Sequence, residues 1–267
     1  MTFDVDAGTP VEPCCPIVEL RQYTLHPGSR DALIELFDRE FVESQEAVGM
    51  QVIGQFRNLD DPNQFVWVRG FPDMATRARA LTAFYGGPVW KTHREAANAT
   101  MIDSDNVLLL RPAHAESGFP LDKSHRPPPG AREVPGGLVI ATICSLDAPA
   151  GDDFVDFFDQ VLKPLLIDAG ASILACFVTE DRANNFPALP VREGENVFVW
   201  FSQFRDPAAY ERHVAALARS RRRDGEIPEE LARRLKGHPE VLRLSPTARS
   251  QLRVLPAYQR TPGNRRE

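Results

Sequence analysis

The chain repeats itself, and that constrains its fold more than any other feature. Residues 17–56 lie over residues 138–177 without a gap, at a shift of 121. Val18 falls on Val139, Leu25 on Leu146, Asp31 on Asp152, Phe37-Asp38 on Phe158-Asp159, Gly49 on Gly170 and Phe56 on Phe177. Further on, NQFVWVRGFPDMA (63–75) lies over NVFVWFSQFRDPA (196–208) at a shift of 133. The difference, 133 − 121 = 12 residues, is an insertion in the second copy within TEDRANNFPALPVREGEN. A repeat of this kind obliges both halves to share one topology.

Each copy reads as the same series of elements. A strand (IVELRQYTL or LVIATICSL) leads into a helix carrying Leu33, Leu36, Phe37 and Phe41, or Phe154, Phe157, Phe158, Val161, Leu162 and Leu165, at helical spacing. Ser29 is the expected N-cap of the first, Pro164 is expected to kink the second, and Gly49 and Gly170 suit the helix ends. Two strands follow, MQVIGQF and QFVWVRGF in the first copy. A second helix opens at Asp73 or at Asp206-Pro207. A last strand closes each unit, read as NVLLLRP in the first copy and QLRVLP in the second. This β-α-β-β-α-β order is the ferredoxin-like arrangement. Its sheet has helices on one face only, so the two sheets are expected to pack face to face and form one intramolecular α+β barrel. The expected division is a flexible leader (1–16), a first domain (17–112), a Pro/Gly-rich linker (113–137), a diverged second domain (138–257) and a flexible tail (258–267).

Composition narrows the function classes. The net charge of −6 argues against a general nucleic-acid binder, which needs a basic surface. No apolar run approaches the roughly 20 residues that span a bilayer, and the acidic, Pro-rich start resembles no targeting segment. A cytoplasmic protein with a small-molecule partner, and neither nucleic acid nor membrane as partner, is expected. It could be a monomer or a homodimer. Cys14, Cys15, Cys144 and Cys176 read as inert packing thiols, and no metal-ligand spacing is present. The chain has no P-loop, GxGxxG, HExxH or GxSxG, so no cofactor is expected.

The pieces VELRQYTLHPG (18–28), GQFRNLDDPNQFVWVRGFPDM (54–74), FYGGPVWKTHREAANATM (84–101) and DSDNVLLLRP (103–112) resemble the NIPSNAP family. The resemblance covers nearly all of the first copy and extends to the second in pattern only. It implies membership of the dimeric α+β barrel superfamily, a fold without an established reaction for most bacterial members. Some relatives of this fold bind haem through a helix histidine, which would make His93 or His213 the axial candidate.

Strand alternation suggests where a ligand would sit. Glu19, Arg21 and Tyr23 share one face of the first strand, and Phe65, Trp67, Arg69 and Phe71 one face of the third. Val18 and Leu20 suit the side packed on helices, so the polar set is expected in the barrel lumen. In the second copy Glu19, Arg21, Tyr23 and Arg69 become Ile140, Thr142, Cys144 and Ser202, while Trp200 stands for Trp67. A lopsided lumen follows, polar on one side and greasy on the other. Two arginines against one glutamate leave a surplus cation, which favours a small, partly apolar, anionic or enolisable ligand. Arg21 and Arg69 would hold its charge, with Glu19, Trp67, Trp90 and Trp200 around it, and Tyr23 or His93 would move a proton as in a cofactor-independent enzyme. The competing readings are a carrier without turnover and a scaffold whose barrel is filled by side chains.

Overall fold

The structure is a computed structural model that describes residues 14–121, 126–223 and 226–253; the expected leader lies outside them up to residue 13, as does the tail. Eight strands close one antiparallel barrel in the order β1-β3-β2-β8-β5-β7-β6-β4. The first half contributes β1 (Ile17–Leu25), β2 (Gln51–Asn58), β3 (Gln64–Phe71) and β4 (Met101–Pro112). The second half contributes β5 (Leu138–Ser145), β6 (Ser172–Thr179), β7 (Val197–Phe204) and β8 (Glu240–Pro246). Within each half the order is 4-1-3-2, as a ferredoxin-like unit requires. The seams between halves are β2–β8 and β4–β6. The α+β barrel expected from the repeat is therefore the observed fold.

The helices cover the outside. In the first half, α1 (Arg30–Leu36) passes through a π turn (Phe37–Phe41) into α2 (Val42–Glu46), and α3 (Met74–Gly86) is followed by α4 (Pro88–Asn98). The second half repeats this with α5 (Asp152–Phe157), a π turn (Phe158–Leu162) and α6 (Lys163–Asp168), then α7 (Pro207–Arg223) and α8 (Glu226–Arg234). Asp73 caps α3 by accepting from the Thr76 amide at 2.6 Å. Gly49 and Gly170 end their helices at φ of +96° and +100°, a conformation that suits glycine. Ser29 makes no side-chain cap, and Pro164 lies in the first turn of α6, so the irregularity before it is the π turn rather than a proline kink.

One strand differs from expectation. The second unit closes with EVLRLSP, not QLRVLP. NVLLLRP (106–112) lies over EVLRLSP (240–246) at a shift of 134, so Val107, Leu108, Leu110 and Pro112 meet Val241, Leu242, Leu244 and Pro246. The residues after each closing strand then do the same work on opposite halves. Ala113 N and Ser117 O bond the backbone of Cys176, while Thr247 N bonds Gln55 O and Ser250 Oγ accepts from Gln55 N. Phe119 and Leu252 complete the equivalence by entering the barrel.

The lumen holds a continuous apolar core. Val18, Leu20, Val66, Val68, Leu108 and Leu110 meet Val139, Ala141, Ile143, Val199, Phe201 and Leu244, all buried. Phe119 packs on Phe177 and Phe201 with ring centroids 5.0 Å away in each case. The expected polar lumen is thus corrected: Glu19, Arg21, Tyr23, Trp67 and Arg69 face the helices instead. Alternation sorts side chains into two sets without saying which set points inward. Here both sheet faces are buried, and the helix side supplies the charged set with Gln45 and Arg77 as partners.

Because the lumen is filled, truncating its central ring should leave a void. Phe119→Ala is expected to lower unfolding free energy by about 3–5 kcal/mol, read by chemical denaturation with an unchanged slope against denaturant.

Candidate functional site

The outer face of the first sheet carries a buried ionic cluster around one carboxylate. Glu19 on β1 is fully buried, as are Arg69 on β3 and Arg77 on α3, and Arg21 is 1% exposed. Arg21 Nη1 and Arg69 Nε donate to Glu19 Oε2 at 2.7 and 2.8 Å, and Arg77 Nε donates to Oε1 at 2.7 Å. Arg69 Nη2 also lies 2.7 Å from Oε2, at an angle that makes an ion pair but no hydrogen bond. Register explains the meeting: Glu19 sits opposite Arg69, and Arg21 opposite Trp67, in the β1–β3 ladder. Burial alone would push the Glu19 carboxyl up, but the three guanidinium groups more than reverse this and hold it far below the ordinary range. Three cations against one anion leave a formal charge of +2 on these four residues (3 − 1 = 2).

Neutral acceptors share the surplus. Arg21 Nε donates to the Tyr23 hydroxyl at 3.0 Å, and Arg69 Nη1 to Gln45 Oε1 at 3.2 Å. Burial raises the Tyr85 hydroxyl above the usual range, against the opposing pull of the nearby Arg69. Arg77 Nη1 donates to the amide oxygens of Asn184 and Asn185 at 3.0 and 2.7 Å. Arg77 Nη2 and Trp67 Nε1 are buried with no hydrogen-bond partner among the described residues. The guanidinium carbons of Arg21 and Arg69 stand 5.6 and 5.0 Å from the Trp67 ring, within cation–π range.

Beside the cluster lies a narrow cavity of about 30 Å3, walled by Tyr23, Trp67 and Gln45 from the sheet side and α2, and by Phe37, Phe41, Phe84, Tyr85 and Trp90. It has room for about one or two waters and is an order of magnitude below the ~300 Å3 of an open ligand pocket. Its polar wall is made by groups that already accept from arginine. A hydroxyl that accepts from a guanidinium has its own proton left to donate, so Tyr23 can offer a hydrogen bond to an oxyanion in the cavity.

Of the residues expected at a site, the structure brings together Glu19, Arg21, Tyr23, Trp67, Arg69 and Trp90. His93 lies on α4 with Nε2 3.6 Å from Glu40, about a quarter exposed and outside the cavity wall. Trp200 is in the helix-facing layer of the second half against Phe158, with the ring centroids 5.4 Å apart, and is not part of the cluster. There the equivalents Ile140 and Cys144 make an apolar layer, so the contrast between the copies holds on their outer faces. His213 packs between Phe204 and Tyr210 with Nδ1 3.2 Å from Ala169 O, and burial lowers its pKa. Burial pushes the Cys144 and Cys176 thiols up to about 12, which makes them unreactive. Among the described residues no group of three or more His, Cys, Asp or Glu could hold a metal ion, and no helix is long and apolar enough to cross a membrane.

Sequence reasoning missed Arg77, Gln45, Tyr85, Asn184 and Asn185. Arg77 had a legible signal, since it interrupts the buried stripe Met74, Leu81 and Phe84 of α3 at a core position. The asparagines had none, because nothing local says where the insertion lands.

The NIPSNAP family model matches residues 18–115, within the first half of the chain. Over nearly the whole chain the structure resembles a candidate monooxygenase from Fusobacterium nucleatum, at 12% identity and a TM-score of 0.52, covering 87% of this chain and 93% of that one. A candidate monooxygenase from Lactobacillus acidophilus matches at 14% identity and a TM-score of 0.50, covering 87% and 94%. An uncharacterised NIPSNAP-like domain protein from Burkholderia xenovorans is 28% identical over 42% of this chain and 89% of its own, at a TM-score of 0.33. No curated protein matches the chain. At these identities the first two likenesses show the shared barrel fold and nothing of the reaction.

Among the described residues Glu19 is the one anion that pairs with the three buried cations, so its removal should be costly. Glu19→Gln is expected to lose about 3–5 kcal/mol at pH 7, measured by urea denaturation. The folded carboxyl is depressed below the unfolded value of 4.5, so its contribution is complete above that pH and falls away as pH drops below it. The gap between variant and wild type should therefore narrow on acidification.

Proposed function

We propose that the first half binds a compact, planar, partly apolar molecule carrying an oxyanion between its sheet and helices, in a slot that widens from its present volume of about 30 Å3 to admit it. The observation that carries this reading is the +2 ionic cluster with two buried donors, Arg77 Nη2 and Trp67 Nε1, left without acceptors among the described residues, together with an aromatic cavity that Trp67 lines. A surplus of buried cation is unfavourable unless something negative compensates it, and an anionic ligand does so. The aromatic walls suit a flat apolar body.

Arg77 Nη2 is the unpaired donor that would meet the oxyanion, while Tyr23, polarised by Arg21, and Tyr85 beside Arg69 line the slot that would take the rest of the molecule. Donors aimed at one oxygen and backed by fixed cations stabilise an enolate or a carboxylate alike. The chemistry such a site supports is therefore reaction at carbon next to an enolised carbonyl. The second half, without the arginines, is structural. A purely structural network is the rival reading, and the small closed cavity and filled lumen favour it.

Benzoate tests between them, with benzamide as the neutral isostere. Benzoate is expected to quench tryptophan fluorescence and raise the melting temperature, with Arg77→Lys, which keeps the charge but loses the guanidinium fork, weakening binding about tenfold, the value of one charge-assisted hydrogen bond. Equal responses to benzoate and benzamide, or none to either, would assign the cluster to structure alone.

A further inference from the structure

The cluster is covered by the other half of the chain. The β6–β7 connection (180–196, 17 residues) exceeds the β2–β3 connection (59–63, 5 residues) by the 12 inserted residues, and the extra length runs over the first half's α3 and β4. Arg192 N donates to Val107 O at 2.8 Å, and Glu180 N to Leu109 O at 2.9 Å, tying both ends of the loop to β4. Between these ties Asn185 Nδ2 donates to Met74 O at 2.6 Å, and Phe186 stacks on Tyr85, with centroids 6.0 Å apart and planes at 27°. Leu189 and Val191 pack on the same helix-facing core.

Arg77 is fully buried, yet Asn185, whose amide oxygen it bonds, is exposed. Asn184 and Asn185 therefore stand between the cationic cluster and bulk water, each tied by polar contacts. Both asparagines act as neutral acceptors on Arg77 Nη1, while Nη2 of the same guanidinium has none. A carboxylate has two oxygens at the spacing of that fork and a charge the amides lack, so it is the better acceptor for the Nη1–Nη2 edge. The loop reaches the cavity wall too, through Tyr85.

We propose that this insertion is a displaceable lid, in which Asn184 and Asn185 hold the place on Arg77 that the carboxylate of a small aromatic acid takes when it binds. The inference rests on the proposed binding site and adds its route of access, its competitor and its ligand class. The ties at Glu180 and Arg192 act as hinges, and the segment between them swings out when the asparagine bonds and the Phe186 stack are exchanged for ligand. The second copy thus regulates the first.

Hydrogen–deuterium exchange of the full chain with and without saturating benzoate tests it. Backbone amides within 183–191 are expected to exchange faster with benzoate, opposite to ordinary ligand protection, while strand amides do not. Asn184→Ala/Asn185→Ala should bind benzoate about tenfold more tightly, because competing acceptors on a charged donor are gone. Phe186→Ala, which leaves both asparagines in place, should speed association. Benzoate binding with slowed or unchanged loop exchange and no gain in either variant would overturn the lid and leave the site standing. Benzoate binding to none of the three proteins would overturn both.

Discussion

The carboxylate of Glu19 is the point on which the first half depends. Three guanidinium groups converge on its two oxygens from a neighbouring strand position, a partner strand and a helix. That convergence fixes how α3 lies on the sheet, orients Trp67 beneath two cations, and turns Tyr23 and Gln45 toward the cavity. Buried charge of this kind is poor as a source of net stability, because desolvation offsets much of the attraction. It is strong as a specifier of arrangement, since every wrong packing would strand at least one arginine.

The two halves show what happens when that constraint is released. With Ile140, Thr142, Cys144 and Ser202 in place of the charged set, the second half packs its helices on an ordinary apolar layer. Both halves keep the π turn, the helix-ending glycine and the capped helix, features of the shared backbone. The charged set is missing from one sheet face of the second half, and one of its connections is longer by 12 residues. The apolar half carries the insertion, and the insertion covers the charged half. The asymmetry is one of roles: one copy holds the cations and the other shields them.

Much of the fold was legible because the repeat demanded a single answer for both halves, and the aromatic, glycine and capping positions agreed on it. The closing strand of the second unit was misplaced for a definite reason. QLRVLP has the same apolar content as EVLRLSP, and only the shift of 134 onto NVLLLRP tells them apart. The polar residues were correctly grouped, since Glu19, Arg21 and Tyr23 share a face whichever way that face points. The face itself was misjudged because apolar residues suit a lumen and a helix interface equally. What decides is the supply of polar partners: Gln45, Arg77, Asn184 and Asn185 reach the outer face from helices and a distant loop. Those partners are brought together by tertiary structure, which periodicity does not reveal.

The surplus of positive charge on the helix-covered face of the first sheet is proposed to attract an anion there. A crystal grown with sodium bromide and measured at the bromine absorption edge tests this most directly. An anomalous peak within hydrogen-bonding reach of Arg77 Nη2 or Trp67 Nε1 is the expected result. A map with Arg21 and Arg69 turned into the barrel, or with bromide at surface lysines and arginines while the cluster stays empty, would contradict it.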